Sequence, residues 1–349
     1  MAPLTIHSLA TWLPESRPQN SLLGQAVPLV YGHLYAPSGA TSRPPTVARG
    51  ATSSPCAPYD APAADAKFNV AQMASAAADR LFSGRTGLQA RVRAVLHGQC
   101  TLNQDILSSS CLRICHEHLR AAPVARTIGQ LGTAGFPTLL QLAALELTLA
   151  GPDALVCASA SDKWMAPFFR RVPGVLTHAD AAAACLVGSG DEPAVAVVHD
   201  IRTSVRPFDG DLWTAGADAL REHLVAHAAS VIDAVRADGG PAPALVGDGY
   251  DHALLQQLAE RTGLASLEEP EAASELHCGS AAPLFAIARA VAVAVQRQQV
   301  LDVIVWTVSM GGFAGAMRIR CQPESHCKGG TWQTAATRAT SAQPNRELT

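Results

Sequence analysis

Apolar positions follow two alternating patterns along the chain, the spacing of three and four residues that is typical of helices and the short runs that are typical of buried strands. In the first half, a predicted helix near Val70–Phe82 leads to the strand RAVLHGQC and then to a helix around Ser110–Leu119. In the second half, the helix LREHLVAHAASVIDAVRA leads to the strand PALVGDGY and the helix HALLQQLAERTG. This alternation predicts an α/β fold.

The two halves resemble each other in a further respect. Each contains a strand that leads into a segment rich in Gly and Ala, ALVCASA before ADAAAACLVG in the first half and VLDVIVWTVSMGGFAG in the second. A period of about half the chain is too long for a solenoid. We therefore predict two similar α/β halves packed around a shared site, with two generic α/β units as the alternative.

The turn GQLGTAGF, residues 129–136, precedes the apolar run PTLLQLAALELTLAG. A glycine-rich turn that opens a buried helix is where α/β enzymes often present a nucleophile, because the helix N-terminus offers free N–H groups and a partial positive charge. The side chain at this point is Thr133. A hydroxyl needs a neighbouring base to become a nucleophile, so the alternative is that Thr133 caps the helix or only fills space.

Composition narrows the classes of function. The chain has 349 residues and a net charge of −3, which gives no indication of nucleic acid or an anionic membrane as the main partner. No charge-free apolar run reaches the roughly 18 residues of a membrane span, and we expect no signal peptide. The nine cysteines favour reduced thiols in a cytoplasmic protein. Residues 36–66 are predicted to be a flexible insertion and residues 321–349 a disordered tail.

A series of segments, in order over residues 65–320, resembles the thiolase superfamily, most closely the β-ketoacyl-acyl-carrier-protein synthase III group. GQLGTAGF is similar to the nucleophile turn "xxACxGF", and HADAAAACLV is similar to "FGDGAGAVVL", keeping its acid as Asp180. LVGDGYDHALLQQLAERTGL resembles "PHQANxRIIxxxAxxLGL", LHCGSAAPLFAI resembles "GNTSSASIPLAL", and VIVWTVSMGGFAGAMRI resembles the C-terminal glycine segment. RAVLHGQCTLNQDILSSSC, ALVCASASDKW and LWTAGADALREH resemble the segments between them.

The resemblance implies a layered αβαβα core made of two thiolase-like halves, residues 1–188 and 189–320. It also implies an acyl-CoA or acyl-acyl-carrier-protein substrate, no permanently bound cofactor and no metal. The partners would be the carrier of that thioester, either coenzyme A or an acyl carrier protein, and a second synthase chain in a homodimer or heterodimer.

The three catalytic positions of the group are all changed here. By position, its cysteine corresponds to Thr133, its histidine to Asp248 and its asparagine to His277. The changed residues could form a new set, in which His277 is the base for the Thr133 hydroxyl and Asp248 orients the imidazole. The alternative is an abandoned site whose polar side chains fill the former cavity.

Other residues are candidates for binding. By resemblance, Gly311 and Gly312, with Gly315, bring backbone N–H groups near the thioester oxygen. Arg170 and Arg171 could contact a phosphate of coenzyme A or of the carrier protein, or could be a solvated pair.

Two further sets of side chains have competing interpretations. Trp164, Phe168 and Phe169 could line an acyl tunnel or a dimer interface, or belong to the core. Cys278 is a rival nucleophile, although it lies on a loop.

Two other chemistries are disfavoured. Cys111, Cys115, His116 and His118 lie on one predicted helix, and no second ligand cluster follows at zinc spacing. The glycines at 129, 132 and 135 do not have the spacing of a dinucleotide-binding turn, and no phosphate-binding loop ending in Gly-Lys is present.

Three functional hypotheses follow. The first is a synthase III-like acyltransferase of fatty acid, polyketide or secondary metabolite biosynthesis that carries the acyl group on Thr133. The second is a non-catalytic subunit of a heterodimer with an active synthase. The third is a decarboxylative condensing enzyme that uses His277 alone.

Overall fold

The structure, a computed structural model, describes both predicted halves and the turn that carries Thr133. The described residues are 3–14, 68–84, 86–101, 109–164, 171–172, 175–190, 192–210, 215–236, 242–247, 249–267 and 276–323. The predicted insertion 36–66 lies outside the described residues, as do residues 324–349 of the predicted tail.

The first half begins with a strand that the apolar pattern did not indicate. Its elements are β1 (Leu4–Trp12), α1 (Val70–Phe82), α2 (Thr86–Gln89), β2 (Val92–Gln99), α3 (Ser110–His118), β3 (Val124–Gly129), a 3₁₀ turn (Gly132–Ala134), α4 (Gly135–Ala150), β4 (Leu155–Asp162), β5 (Arg171–Val172), β6 (Leu176–Thr177) and β7 (Ala181–Gly188). The start of α1 is fixed locally, because Asn69 and Gln72 cap each other through two side-chain-to-backbone hydrogen bonds of 2.8 Å.

The second half repeats much of this order. Its elements are β8 (Ala196–Val205), α5 (Ala217–Val235), β9 (Ala244–Val246), α6 (His252–Thr262), a second 3₁₀ turn (Gly279–Ala281), α7 (Ala282–Arg297), β10 (Leu301–Val308) and β11 (Phe313–Cys321). Asp251 caps α6 by accepting from Ala253 N at 2.9 Å, and Gly263 ends it at a left-handed φ of 66°. The last strand includes Cys321, the first residue of the predicted tail.

In the described part of the chain, one nine-stranded sheet joins the halves in the order β3-β2-β4-β7-β1-β8-β11-β10-β9. Within each half a central strand, β4 or β10, has a parallel neighbour on one side and an antiparallel neighbour on the other. The halves meet at β1 and β8, which pair over only three positions, from Leu4↔Val198 to Ile6↔Ala196. The two half-sheets therefore share a short seam.

Three hydrophobic clusters show the layers. Strand β4 directs Val156, Ala158 and Ala160 to a central cluster with α4 and α7, and directs Leu155 and Cys157 to an outer cluster with α1 and α3. Strand β10 divides its side chains in the same way between the central cluster and an outer cluster with α5 and α6. This period of two gives the αβαβα arrangement, so the predicted fold class is confirmed.

The two central helices are apolar enough to resemble membrane spans. Together with their 3₁₀ turns they cover Gly132–Ala150 and Gly279–Arg297, and 50% and 67% of their most apolar windows are buried inside the fold. Their hydrophobicity is accounted for by their place in the central layer, where they pack against strands of both half-sheets.

Strand β2 carries a buried histidine, His97, beside strand β4. His97 is fully buried, and its Nδ1 and Nε2 lie 2.9 Å from Ser159 Oγ and 3.2 Å from Ser161 Oγ. Burial lowers the pKa of His97 to about 4, although the side chain of Gln99 opposes the shift. The folded protein therefore holds this imidazole neutral under conditions where the unfolded chain protonates it.

We predict that His97 makes the fold sensitive to acid. Between pH 6.5 and about 4 the unfolded chain binds a proton that the folded chain does not, so the free energy of unfolding falls as the pH falls, by at most about 3 kcal/mol from this group. Denaturant unfolding across this range, compared with His97→Gln, measures the effect. The other histidines are common to both proteins, so equal pH dependence in the two would contradict the prediction.

Candidate functional site

Two turns of nearly identical sequence and backbone lead into the central helices. Gly132-Thr133-Ala134 precedes α4 and Gly279-Ser280-Ala281 precedes α7, and each helix has 16 residues. The glycines have left-handed φ values of 56° and 58°, a conformation that favours Gly over other residues. Thr133 and Ser280 therefore occupy equivalent places in the two halves.

Each turn packs against the half of the molecule to which it does not belong. A Cβ atom at Gly132 would lie 2.6 Å from Ser309 Oγ, and one at Gly279 would lie 2.9 Å from Asp162 Cβ. Ser309 follows β10 and Asp162 ends β4, and the two turns contact each other. The site is thus built at the seam between the halves.

The carboxylate of Asp162 binds both halves at this seam. Its Oδ1 accepts from Cys100 N at 2.7 Å, Thr101 N at 2.8 Å and Thr101 Oγ1 at 3.1 Å, and its Oδ2 accepts from Ser280 N at 2.6 Å. Burial raises the pKa of Asp162, and these hydrogen bonds oppose the rise. With four donors directed at it, the ionised form fits this environment.

The Thr133 side chain is held in the site without a partner. The residue is only 3% exposed, and its Oγ1 makes no hydrogen bond within the described residues. Neither the 3₁₀ turn nor α4 has a side-chain cap, so Thr133 does not serve as a helix cap. A buried polar atom normally has a hydrogen-bond partner. Because Thr133 Oγ1 has none among the described residues, its hydroxyl is available to a ligand.

A thiol lies beside the same turn. Cys100 directly follows β2, and its backbone N–H donates to the Asp162 carboxylate, which also accepts from Ser280 N. Burial raises the pKa of the Cys100 thiol well above its usual value and the Asp162 carboxylate adds to the rise, whereas Ser280 and Gly132 oppose it. The thiol is therefore protonated at neutral pH.

The position of His277 is fixed by its main chain. It forms a parallel bridge with His178, and its carbonyl accepts from Ala179 N at 3.0 Å. Its ring lies 5.5 Å from the His178 ring and 4.7 Å from the Tyr250 ring, centroid to centroid. The imidazole is thus buried among aromatic rings.

The predicted triad is only partly described. No hydrogen bond joins Thr133 Oγ1 to His277, and Asp248 lies outside the described residues. The neighbour of Asp248, Gly249, has a left-handed φ of 68° and packs so closely on the main chain of His277 that a Cβ there would clash. The loop and the histidine are therefore adjacent.

The loop Gly311–Gly312 lies next to the Thr133 turn through Ser309. Gly312 N donates to Ser309 O at 3.1 Å, and Gly312 O accepts from Arg206 N at 2.7 Å. Of the two glycines proposed to contact a thioester, Gly312 already uses its N–H within the turn. Gly315 packs on Pro137 of α4, where a Cβ would lie 2.8 Å from Pro137 Cγ.

Of the remaining predicted residues, Trp164 and Cys278 lie close to His178 and His277, and the others, or their side chains, fall outside the described part of the chain. Trp164 stacks on His178 at 3.5 Å between centroids, and its backbone N–H donates to the buried Asp180 carboxylate at 2.8 Å. Cys278 is buried next to His277. The positions that lie outside the described residues, or whose side chains do, are Phe168, Phe169, Arg170 and Arg171.

A metal centre is not seen in the described part of the chain. No group of three or more His, Cys, Asp or Glu side chains there could hold a metal ion. Cys111, one of the residues considered for zinc, instead directs its thiol to Val95 O at 3.2 Å.

Comparison with solved structures identifies the fold. The chain is 15% identical to the acyltransferase ChlB3, with a TM-score of 0.66 over 92% of this chain and 98% of that one. It is 15% identical to AbyA1, a tetronic acid condensing enzyme, with a TM-score of 0.64 over 90% and 99%. The 3-oxoacyl-(acyl carrier protein) synthase III of Pseudomonas aeruginosa PAO1 matches with a TM-score of 0.60, 15% identity and coverage of 92% and 99%.

These likenesses show a thiolase-like fold of the synthase III type, as the sequence resemblance predicted. The structural neighbours are condensing enzymes and acyltransferases. Neither a protein-family model nor a curated protein sequence matches the chain.

Three residues of the site were missed by sequence reasoning: Cys100, Asp162 and Ser280. A signal for Ser280 was present, because Gly-Ser-Ala repeats Gly-Thr-Ala at the start of the equivalent helix. Cys100 and Asp162 follow or end neighbouring parallel strands, whose carboxyl ends meet at one edge of the sheet. That pairing was not available from the sequence pattern.

We predict that Asp162→Asn destabilises the protein by roughly 2–4 kcal/mol, because the amide loses the charge and directs an N–H group at backbone donors. Chemical denaturation measures the change. Asp251→Asn is the matched control, since Asn caps a helix as well as Asp does. Equal stability of Asp162→Asn and the parent protein would contradict the role given to this carboxylate.

Proposed function

We propose that the protein is a thioester-dependent acyltransferase in which Thr133 carries the acyl group. The donor is an acyl group on coenzyme A or on an acyl carrier protein, and the pathway class is fatty acid, polyketide or secondary metabolite biosynthesis. The observation that carries the proposal is the buried, unpartnered Thr133 hydroxyl at the N-terminus of α4. We propose a cytoplasmic protein that works as a dimer.

His277 is the proposed base and Asp248 its proposed orienting partner. The imidazole removes the hydroxyl proton as the Thr133 oxygen attacks the thioester carbonyl, and it returns the proton to the leaving thiolate. Catalytic hydrogen bonds are often long in the absence of substrate. We therefore expect the bound donor to bring the Thr133 hydroxyl and the His277 ring together.

The developing negative charge on the acyl oxygen needs donors. The N-terminus of α4 supplies backbone N–H groups and a favourable dipole, and Gly311 is a better candidate than Gly312, whose N–H already binds Ser309 O. Arg170 and Arg171 are the proposed contacts for the phosphates of the donor. Acyl transfer to an alcohol, an amine or water suits this set better than decarboxylation, which in the synthases relies on the His and Asn that are changed here.

We predict that Thr133→Ala abolishes formation of a stable acyl-protein adduct and lowers transfer activity at least roughly 100-fold, because the proposed acyl acceptor is lost. Thr133→Ser keeps the hydroxyl and retains the adduct. Intact-mass spectrometry after incubation with acyl-CoA of several chain lengths reads out both variants. Unchanged turnover in Thr133→Ala would contradict the proposal.

A second candidate function is that of a non-catalytic subunit beside an active synthase. It is favoured because no basic side chain among the described residues forms a hydrogen bond with the Thr133 hydroxyl. It is also favoured by the exposed leucines on two helices that pack near the edge strand β3, namely Leu112 on α3 (62% exposed) and Leu145 and Leu149 on α4 (63% and 84%). Leu145 and Leu149 are four residues apart and therefore share one face of α4, and exposed apolar side chains on one face are typical of a protein interface.

The two functions differ in what the purified chain does alone. An acyltransferase is expected to form a homodimer and to become acylated at Thr133. A non-catalytic subunit is expected to remain unacylated with every donor and to form a stable dimer only with a catalytic synthase. Light scattering combined with intact-mass analysis distinguishes them, and an acylated homodimer would rule out the subunit role.

A further inference from the structure

Two buried imidazoles meet beside the turn that leads into α7. His178 is 5% exposed and His277 is 2% exposed, and their ring centroids are 5.5 Å apart. The two main chains form a parallel bridge, and Ala179 N donates to His277 O at 3.0 Å. Backbone contacts therefore set the separation of the rings, and the proposed mechanism uses only His277.

Two positive charges at this separation repel each other. Burial already opposes a charge on either ring, because a protonated imidazole is poorly solvated inside the fold. A second charge 5.5 Å from the first adds Coulomb repulsion, which is stronger inside a protein than in water. Groups that interact in this way titrate as a pair, so near neutral pH the two rings together hold at most one proton.

The surroundings favour His178 as the ring that holds this proton. Its face is stacked on the indole of Trp164, with centroids 3.5 Å apart and an interplanar angle of 14°, and an indole face is the best aromatic partner for a cation. The buried carboxylate of Asp180, two residues along the chain, accepts from the backbone N–H of the same tryptophan at 2.8 Å. A positive charge on His178 therefore has both an aromatic face and a carboxylate in its neighbourhood.

The neighbour of His277 on its other side is a weaker partner for a charge. The ring of Tyr250 lies 4.7 Å from it, centroid to centroid, and is tilted by 48°. The Tyr250 hydroxyl is bound to the main chain of Val308, accepting from its N at 2.9 Å and donating to its O at 2.7 Å. A tilted phenol stabilises a cation less than a stacked indole does.

Neighbouring segments bring further titratable groups to the pair. The Cys278 thiol is directed to a main-chain oxygen at 3.7 Å, and the Lys163 ammonium donates to another. The Asp162 carboxylate accepts from its own set of donors at the seam. These three groups bind elsewhere, whereas Asp248, which lies outside the described residues, would favour the proton on His277.

We propose that His178 is a positioning residue that holds the single proton of the pair and thereby keeps His277 neutral. This inference rests on the proposed function and gives a role to a side chain that the mechanism does not use. A neutral His277 can take the hydroxyl proton as the Thr133 oxygen bonds to the acyl carbon. The charge on His178 then favours release of that proton to the departing thiolate as the bond between carbon and sulfur breaks.

The test follows both rings in the full chain. Histidine labelled with ¹³C at Cε1 gives one NMR signal for each imidazole, and the variants His178→Phe, His178→Asn and His277→Gln assign the two signals by their loss. The rate of Thr133 acylation by acetyl-CoA is measured by intact mass between pH 5 and 9. His227→Phe is the matched control, because His227 is a fully buried imidazole on α5. Thermal melting checks that each variant is folded.

We expect the His178 signal of the parent protein to titrate at higher pH than the His277 signal. In His178→Phe the repulsion is lost, so His277 titrates about one to two pH units higher, and the acid limb of the acylation profile moves up by the same amount. The rate above pH 8.5 stays within about 2-fold of the parent rate, because His277 is then neutral in both proteins. His227→Phe keeps the parent profile.

Two further variants separate charge from packing. His178→Asn removes the imidazole and its ring, and we expect it to shift the profile as His178→Phe does. Trp164→Leu removes the aromatic face, and we expect it to lower the pH at which His178 titrates.

The inference is overturned if His277 titrates first in the parent protein, if neither ring titrates between pH 5 and 9, or if His178→Phe has the parent profile. Each of these results leaves the proposed function intact as long as Thr133 is acylated. If Thr133 is not acylated in the parent protein, the proposed function is wrong, while the NMR titration still decides which ring holds the proton.

Discussion

The buried carboxylate of Asp162 is the constraint on which the site depends. One oxygen accepts from the end of β2 and the other from the turn before α7, so a single charged group sets the distance between the two halves at their seam. A buried charge is tolerated only when it is well satisfied. The backbone N–H groups that satisfy it are also those that position Cys100 and Ser280.

The internal repeat gives the site its second property, a pair of equivalent helix starts. Each turn uses a left-handed glycine to approach the opposite half, and each carries a buried hydroxyl, Thr133 or Ser280. Helix N-termini favour negative charge. Two of them meeting at one seam suit the proposed acyl transfer, in which charge develops on an acyl oxygen.

The structural neighbours share the fold at about 15% identity. Such a likeness fixes the scaffold and leaves the chemistry to the residues that this chain places on it. By the sequence resemblance, the positions of the catalytic cysteine, histidine and asparagine of the synthases correspond here to Thr133, Asp248 and His277.

The sequence by itself determined the fold class, several core helices and strands, and the turn at Thr133, because these depend on local periodicity and on glycines at fixed places. It did not indicate β1 or β3, since β1 contains polar residues among its apolar ones and the exposed β3 lacks an apolar alternation. Only the tertiary structure brought Cys100, Asp162 and Ser280 together. They are separated by up to 180 residues in the chain, and their contact depends on strand order and on packing between the two halves, which no local pattern encodes.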